Sequence, residues 1–244
     1  MLDFTQVLVH WPLFLEGLQN TIVICVVSFL AGGLLAVPIA LLRVYNVPVL
    51  SQIAGFYIYL FRGTPLLIQT YLIYFGLAEF PAIRESILWP IFREAWWCVL
   101  ISFSINTSAY MAAILAGAIK GVPKGETEAA TAIGMSPWLA FRRIIMPRAF
   151  GAALPMIGNE AIFKVHSSAI ASTVTILDIL GAGRYVNARY YLPYEGFIAA
   201  AVLYMAIVFC VVQLFAFLER RFLRHLGKRI ASEPTKAAPQ PRGV

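Results

Sequence analysis

The sequence consists of long runs of apolar residues separated by short polar stretches. A helix needs roughly 20 apolar residues to cross the hydrocarbon core of a bilayer, and each run is long enough for one crossing. Because the polar stretches are short, no part of the chain is left for a large soluble domain. We therefore predict an all-α membrane protein with five transmembrane helices, at about 20–42, 53–77, 96–118, 149–172 and 194–218.

The basic residues determine the predicted orientation of these helices. Five crossings place thirteen Lys and Arg residues on one side of the membrane and four on the other. Because cytoplasmic segments are enriched in Lys and Arg, we predict that the N-terminus lies outside and the C-terminus in the cytoplasm. A second interpretation splits the fourth run into crossings at 149–165 and 168–183. It would place the basic tail outside, and we reject it for that reason.

The composition agrees with a membrane protein and excludes other classes. Hydrophobic residues make up 60% of the chain and charged residues 13%, which is far from the balance of a soluble domain. The net charge of +7 follows the polar stretches between apolar runs, so it does not indicate nucleic-acid binding. The three histidines are widely separated and the three cysteines lie within apolar runs, so we predict no metal site.

A polar segment between the third and fourth runs has clear helix signals. The helix-favouring run that begins at Glu126 ends at Gly134, and Gly commonly terminates helices. Ser136 followed by Pro137 is typical of the start of another helix. We therefore predict two short cytoplasmic helices that meet at a corner, with the next span beginning at Pro147.

The corner allows two interpretations. Small side chains beside it would let another protein surface approach closely, but a short amphipathic helix could equally lie on lipid headgroups. The small-residue face that we predict near Gly134 consists of Ala129, Ala130 and Ile133.

The spacing of this segment resembles a known motif. Residues 128–130 are Glu-Ala-Ala, Gly134 follows after three residues, and nine further residues lead to Ile144 and then Pro147. This is similar to the EAA loop of ABC importer membrane subunits, in which Met146 would be Leu. The resemblance implies that the loop is the coupling helix that docks into a cleft of a cytoplasmic ATPase. The implied coupling residues are Glu128, Ala129, Ala130, Gly134, Ile144 and Pro147.

A wider resemblance covers roughly residues 15–225. The stretches FRGTPLLIQ (61–69), NTSAYMAAILAGAI (106–119), GVPKGETEAA (121–130) and GNEAIFKVHSSAI (158–170) resemble polar amino acid transport permeases. HSSA at 166–169 is more similar to the M-type subunits of histidine, lysine-arginine-ornithine and opine importers than to members with K-D-S/T-S there. The resemblance implies a type I ABC importer permease fold in a bacterial inner (plasma) membrane, and a polar, basic amino acid or an opine as substrate.

The resemblance also implies partners and a domain organisation. The chain has no GxxxxGK[ST] phosphate loop, so ATP and Mg would be bound by a separate ATPase, and the chain itself would be neither an enzyme nor a cofactor protein. The implied partners are two ATPase copies, a paralogous second permease that forms a heterodimer, and an extracytoplasmic substrate-binding protein. Residues 1–225 would form the permease domain, with the coupling loop at 120–148, and 226–244 a disordered cytoplasmic tail.

A second function class is a secondary transporter or channel that works without an ATPase. In that class, acidic residues inside the membrane would carry coupling protons, and inverted repeats are expected. The sequence contains no such repeat that we can recognise.

Charged residues at membrane depth are costly and therefore indicate function. Glu160 and Lys164 are four residues apart on the fourth span, a spacing that favours an intrahelical ion pair. Glu160 would either pair with Lys164 or face the path and accept a cationic substrate. Asn159 and His166 are further candidates on the same helix.

Two other charged residues belong to the predicted path. Arg62 lies where Gly63 and Pro65 interrupt the second span, and it would bind freed carbonyl groups, pair with Glu160, or contact a substrate carboxylate. Asp178 follows the fourth span on the outer side, where a short helix before Gly181 and Gly183 would cap the path, or where Asp178 would lie in a solvated turn. The full set of candidate path residues is Arg62, Asn159, Glu160, Lys164, His166 and Asp178.

Overall fold

The structure, a computed structural model, describes residues 3–230, and side chains as far as residue 222. The described residues form helices and turns only. The predicted tail at 226–244 lies largely outside them. The α-helices are α1 (Thr5–Val9), α2 (Trp11–Val44), α3 (Leu50–Gly63), α4 (Leu66–Tyr71), α5 (Pro81–Arg84), α6 (Trp89–Phe92), α7 (Ala95–Lys120), α8 (Lys124–Ala132), α9 (Pro137–Ala140), α10 (Met146–Ser167), α11 (Ile179–Tyr190) and α12 (Pro193–Ile230).

Three of these helices are long and apolar enough to cross a membrane, namely α2, α7 and the part of α12 up to Phe222. A fourth candidate is the helical stretch from Pro137 to Val174 together with α11, which meets it at an angle of 48°. The all-helical architecture agrees with the sequence prediction. The number of five crossings and their orientation remain predictions.

The second predicted span, 53–77, is broken in the middle. α3 ends at Gly63, Thr64 and Pro65 have extended backbone conformations, and α4 begins at Leu66. Pro65 has no N–H to donate, and its ring disfavours a helical conformation of the preceding residue. The interruption predicted from Gly63 and Pro65 is therefore confirmed. It leaves backbone carbonyl groups near the end of α3 without a hydrogen-bond partner in their own helix.

The fourth apolar region bends at a different place from either sequence interpretation. α10 continues as a 3-10 helix, Ser168–Val174, and the chain then turns at Thr175, which has a φ of 70°. α11 starts after Asp178. The break at 175–178 thus follows the predicted span at 149–172, whereas the rejected interpretation placed a break near residue 166.

Small residues let the central helices approach one another closely. Gly32 of α2 faces α7, where an added Cβ would lie 2.6 Å from the Thr107 Cβ. α11 meets α12 at Gly183 and Gly196, whose backbones leave no room for a side chain. Such close packing is typical of membrane helices, which gain little from the hydrophobic effect. In the same bundle, α7 packs against both halves of the broken second span, α3 and α4, and against α10.

Candidate functional site

A cavity of about 510 Å³ lies between the break in the second span, α7 and α10. Three of the six predicted path residues line it: Arg62 at the end of α3, and Glu160 and Lys164 on α10. Asn106 and Tyr110 of α7 line it as well. The cavity therefore combines charged groups of both signs with exposed helix ends.

Two amide side chains bind the backbone carbonyls that the break leaves free. The Gln69 Nε2 donates to the carbonyls of Phe61 at 2.9 Å and Thr64 at 3.0 Å. The Asn106 Nδ2 donates to the same Phe61 carbonyl and to the Gln69 Oε1, both at 3.2 Å. Because buried carbonyls need partners, this network stabilises the break. Gln69 is not among the residues predicted for the site, although an amide shortly after a Gly-Thr-Pro break is a signal that could have indicated it.

The Arg62 guanidinium therefore does not have the carbonyl-binding role that was one of its three predicted possibilities. Its Cζ lies 5.2 Å from the centroid of the Tyr110 ring, within the range of a cation–π contact. The Tyr110 hydroxyl donates to the Arg62 backbone carbonyl at 3.4 Å. Among the residues with described side chains, no ion pair joins Arg62 to Glu160. Arg62 is exposed to the cavity and can contact a further group there.

Glu160 and Lys164 do not form the intrahelical ion pair that the sequence spacing favours. Lys164 is 2% exposed, and its Nζ donates to the Phe103 carbonyl at 3.4 Å and lies 5.1 Å from the centroid of the Phe103 ring. The contact with Phe103 turns the ammonium group towards α7. Glu160 is 7% exposed, and within the described part of the chain its carboxylate makes no hydrogen bond or ion pair. It is left as a buried acceptor on the cavity wall.

The other three candidate path residues lie elsewhere. Asn159 and His166 are exposed on α10 and do not line the cavity, because they lie at different angles around the helix from Glu160 and Lys164. Asp178 is fully buried, so the alternative of a solvated turn is wrong. Its Oδ1 accepts a hydrogen bond from the Gly181 N–H at 2.6 Å and caps α11. The predicted short helix was to lie before Gly181 and Gly183, whereas α11 runs through both glycines to Tyr190.

The corner between α8 and α9 is formed by backbone conformation and helix caps. Gly134 has a φ of +77°, and its N–H donates to the Thr131 carbonyl at 2.9 Å while the Met135 N–H donates to the Ala130 carbonyl at 3.0 Å. These two bonds form a Schellman motif, which favours Gly at the left-handed position. The Ser136 Oγ accepts from a backbone N–H of the next helix. The predicted corner and both of its signals are confirmed.

The second short helix, however, does not end at Pro147. α9 passes through a π-helical turn, Phe141–Ile145, directly into α10. Pro147 cannot donate a hydrogen bond, and its ring would clash with the carbonyl four residues earlier in a regular helix. In the wider turn the Met146 N–H instead donates to the Phe141 carbonyl, and the helix continues. α10 begins at Met146 with Pro147 in its first turn, so the predicted start of the next span agrees with the structure to within one residue, but no break separates it from the short helix before it.

The residues of the predicted small-residue face do not all lie on one surface of the structure. Ala130 is 1% exposed and packs inwards, whereas Ile133 is 77% exposed. Glu128 and Ala129 are exposed on the outer side of α8. The surface available to another protein therefore comprises Glu128, Ala129 and the corner at Gly134, without Ala130. Ile144 is half-buried and Pro147 exposed at the start of α10.

Comparison with known proteins gives a consistent family. The family model described as "Binding-protein-dependent transport system inner membrane component" matches residues 28–224. The chain is 37% identical to the nopaline transport system permease protein NocM of Agrobacterium fabrum, over 97% of this chain and 99% of the relative. It is 43% identical to the octopine transport system permease protein OccM of Rhizobium meliloti, with 86% of each chain covered. It is also 38% identical to the histidine/lysine/arginine/ornithine transport system permease protein HisM of Salmonella typhimurium, covering 87% of this chain and 91% of the relative.

The fold is similar to that of a solved transporter. A chain in the crystal structure of an amino acid ABC transporter with histidines superposes with a TM-score of 0.81 at 31% identity. The match covers 91% of this chain and 99% of the other. The all-helical architecture described above is therefore that of an ABC importer membrane subunit.

Proposed function

Because this chain belongs to the family of binding-protein-dependent transport system inner membrane components, and is thus a permease subunit of an ABC importer, we propose that it forms part of the path for a basic amino acid or an opine. Its role is transport and not catalysis, and family membership removes the alternative of a secondary transporter or channel. The names of its relatives support the substrate class, since they refer to nopaline, octopine and the basic amino acids histidine, lysine, arginine and ornithine.

The observation that carries this proposal is the unpaired carboxylate of Glu160 in the cavity. A buried carboxylate without a partner is costly, and a cationic group that reaches it is correspondingly favoured. Lys164 does not supply that cation because its ammonium group lies against Phe103. We assign Glu160 to the cationic side chain of the substrate.

Arg62 is the complementary group for the other end of an amino acid. Arg62 lines the same cavity as Glu160, at the broken end of α3. A guanidinium binds carboxylates well because it presents several N–H donors in one plane. Every amino acid carries an α-ammonium and a carboxylate group, but only a basic one adds a cationic side chain that can reach Glu160 while its carboxylate binds Arg62. This pairing favours basic substrates over neutral ones.

For coupling, we propose that the outer face of α8 and the corner at Gly134 dock into the ATPase. Glu128 and Ala129 are exposed there, and the cap bonds of the corner hold its shape. ATP and Mg would be bound by that separate subunit.

For assembly, we propose the arrangement that the family implies. A second, paralogous permease would complete the path, and an extracytoplasmic binding protein would deliver the substrate. The chain would cross a bacterial inner membrane five times, with the N-terminus outside and the C-terminus in the cytoplasm. The polar residues Asn159 and His166, exposed on α10, are costly to place against lipid, which supports a protein neighbour on that face.

The test compares uptake of arginine with uptake of citrulline, which has nearly the same shape but an uncharged ureido group. The complete complex is reconstituted in proteoliposomes, and uptake is normalised to the amount of loaded binding protein. For Glu160→Gln we expect arginine uptake to fall about tenfold and citrulline uptake to change less than about twofold, since one buried charge contact is lost. Glu85→Gln, which removes an exposed carboxylate away from the cavity, is the matched control. Equal losses for both substrates would contradict the assignment of Glu160.

A further inference from the structure

An ion pair joins the coupling helix directly to the helix that carries the cavity residues. The Arg148 Nη2 contacts the Glu126 Oε1, and both side chains are partly shielded from solvent, with 32% and 26% of their surfaces exposed. Glu126 lies in the first turn of α8, and Arg148 lies in the first turn of α10. The two residues are 22 positions apart in the sequence, so the pair is a tertiary contact.

Few other contacts hold α8 in place. Ala130 is its only buried residue within the described chain, and α8 packs against α9 and the π-helical turn that follows it. Glu126 lies four residues before Ala130, on the same inward side of the helix. Glu128 and Ala129 lie on the outer side. The inner side of α8 thus carries one buried apolar residue, Ala130, and the ion-paired Glu126.

The covalent route from α8 to the cavity contains a deformable element. From the corner, the chain runs through α9 and the π-helical turn, Phe141–Ile145, before it reaches α10. Such wide turns lack the regular hydrogen-bond ladder and are frequent at bends. A movement of α8 that travelled only along the chain would be partly absorbed there.

The ion pair bypasses that element. Arg148 lies beyond the π-helical turn on α10, and Glu160 follows on the same helix, 12 residues later, which corresponds to about 18 Å along the axis. A displacement of α8 that is transmitted through Glu126 to Arg148 would therefore enter α10 beyond the π-helical turn and reach Glu160 within one helix, which continues to Ser167 although it contains Pro155.

We propose that the Glu126–Arg148 ion pair is the contact through which movement of the coupling helix is transmitted to the cavity. Glu126 and Arg148 act as positioning residues, because they keep α8 and α10 in register during transport. The proposal rests on the proposed docking of α8 on the ATPase, and it adds a residue pair outside the EAA pattern to the coupling machinery.

The test is a charge exchange in the reconstituted complex, with the number of substrate molecules imported per ATP hydrolysed as the readout. We expect Glu126→Arg and Arg148→Glu each to reduce this ratio about tenfold, in the range of single positions that couple distant sites. The double variant, Glu126→Arg with Arg148→Glu, restores the pair in reverse and should recover at least about half of the wild-type ratio. Arg148→Lys, which keeps the charge, should lose less than about threefold.

The controls separate a coupling role from folding and from the proposed function. Arg220→Glu makes the same charge change at an exposed residue of α12, and should leave the ratio unchanged. Copurification of the ATPase measures assembly, and if a charge reversal prevents it, Glu126→Gln and Arg148→Gln replace the reversals with the same expected loss of ratio. Wild-type ATP-driven uptake tests the proposed function independently of the pair. The proposed role of the ion pair would be overturned by a normal ratio of substrate imported per ATP hydrolysed in the single variants. It would also be overturned if an assembled double variant showed no recovery of this ratio.

Discussion

The two ends of the helical stretch from Pro137 to Val174 are built on different principles. At the N-terminal end, the corner depends on backbone conformation and caps, namely the left-handed Gly134 and the Ser136 cap, and its side chains are mostly exposed. At the membrane end, Glu160 and Lys164 are buried charges whose positions depend on neighbouring helices. The difference indicates a division of roles. Changes at the corner should affect transport of every substrate equally, whereas changes in the cavity should alter which substrate is preferred.

The largest expected effect is at the corner. Gly134→Val should reduce uptake of all substrates by about 100-fold or more, because a β-branched residue is strongly disfavoured at positive φ. Space is not the reason, since an added Cβ would have no neighbour within 4 Å. Membrane insertion and expression should persist, as measured by quantitative blotting of membranes.

Two further variants test whether the backbone conformation of Gly134 is the cause of this loss. Gly134→Asn should retain more uptake than Gly134→Val, because Asn tolerates the left-handed conformation. Gly117→Ala, at a helical glycine of α7 that also has open space around it, should have little effect. If Gly134→Val imports normally, the corner does not need its backbone conformation.

The next effect concerns the break in the second span. Gln69→Leu removes the donor that binds the Phe61 and Thr64 carbonyls, and each unsatisfied buried group costs about 1–3 kcal/mol. We expect the yield of assembled complex to fall about fivefold or more, with arginine and citrulline uptake reduced alike per complex. Gln52→Leu, at an exposed glutamine of α3, is the control. A large change in substrate preference with full assembly would mean that Gln69 binds substrate instead.

A double-mutant cycle examines the relation between Glu160 and Lys164. Because the Lys164 ammonium donates to the Phe103 carbonyl and forms no ion pair with Glu160 in the structure, adding Lys164→Met to Glu160→Gln should not restore arginine uptake. Uptake and expression are measured for all four members of the cycle. Recovery of full function in the double variant would instead indicate that the two residues chiefly neutralise each other.

The smallest expected effect is at Asp178. Asp178→Asn keeps a side-chain oxygen that can accept from the Gly181 N–H, whereas Asp178→Ala removes this cap of α11, which is worth about 1–2 kcal/mol. We expect Asp178→Ala to lower the thermal stability of the detergent-solubilised complex by a few degrees, at about the level of one lost cap. Asp178→Asn should lower it less. Substrate preference should not change in either variant. A changed substrate preference would indicate that Asp178 belongs to the translocation path after all.

The corner could be predicted from the sequence because its signals are local. Gly134, Ser136 and Pro137 determine their own backbone conformations or bond to residues a few positions away. The exception was Pro147, whose effect on the helix was absorbed by a π-helical turn upstream of it. Proline restricts the hydrogen bonds that are possible, but it does not decide whether a helix stops or widens.

The cavity could be predicted only in part, because its partners come from other helices. The cost of charge in a membrane identified Arg62, Glu160 and Lys164. It did not indicate that Phe103 of α7 would hold Lys164, since no local pattern connects residues 61 positions apart. Asn159 and His166 were close to the correct residues in sequence but lie at other angles around α10. Burial of Asp178 likewise depends on how α11 packs, which the sequence pattern does not contain.

The most direct test of this division of roles is the ratio of arginine to citrulline uptake in two partly active variants measured side by side. Gly134→Asn should lower both rates and leave the ratio within about twofold of wild type, because the corner acts on coupling alone. Glu160→Gln should lower the ratio about fivefold or more, because it removes the charge that distinguishes the two substrates. An unchanged ratio in Glu160→Gln, or an equal shift of the ratio in both variants, would contradict the account.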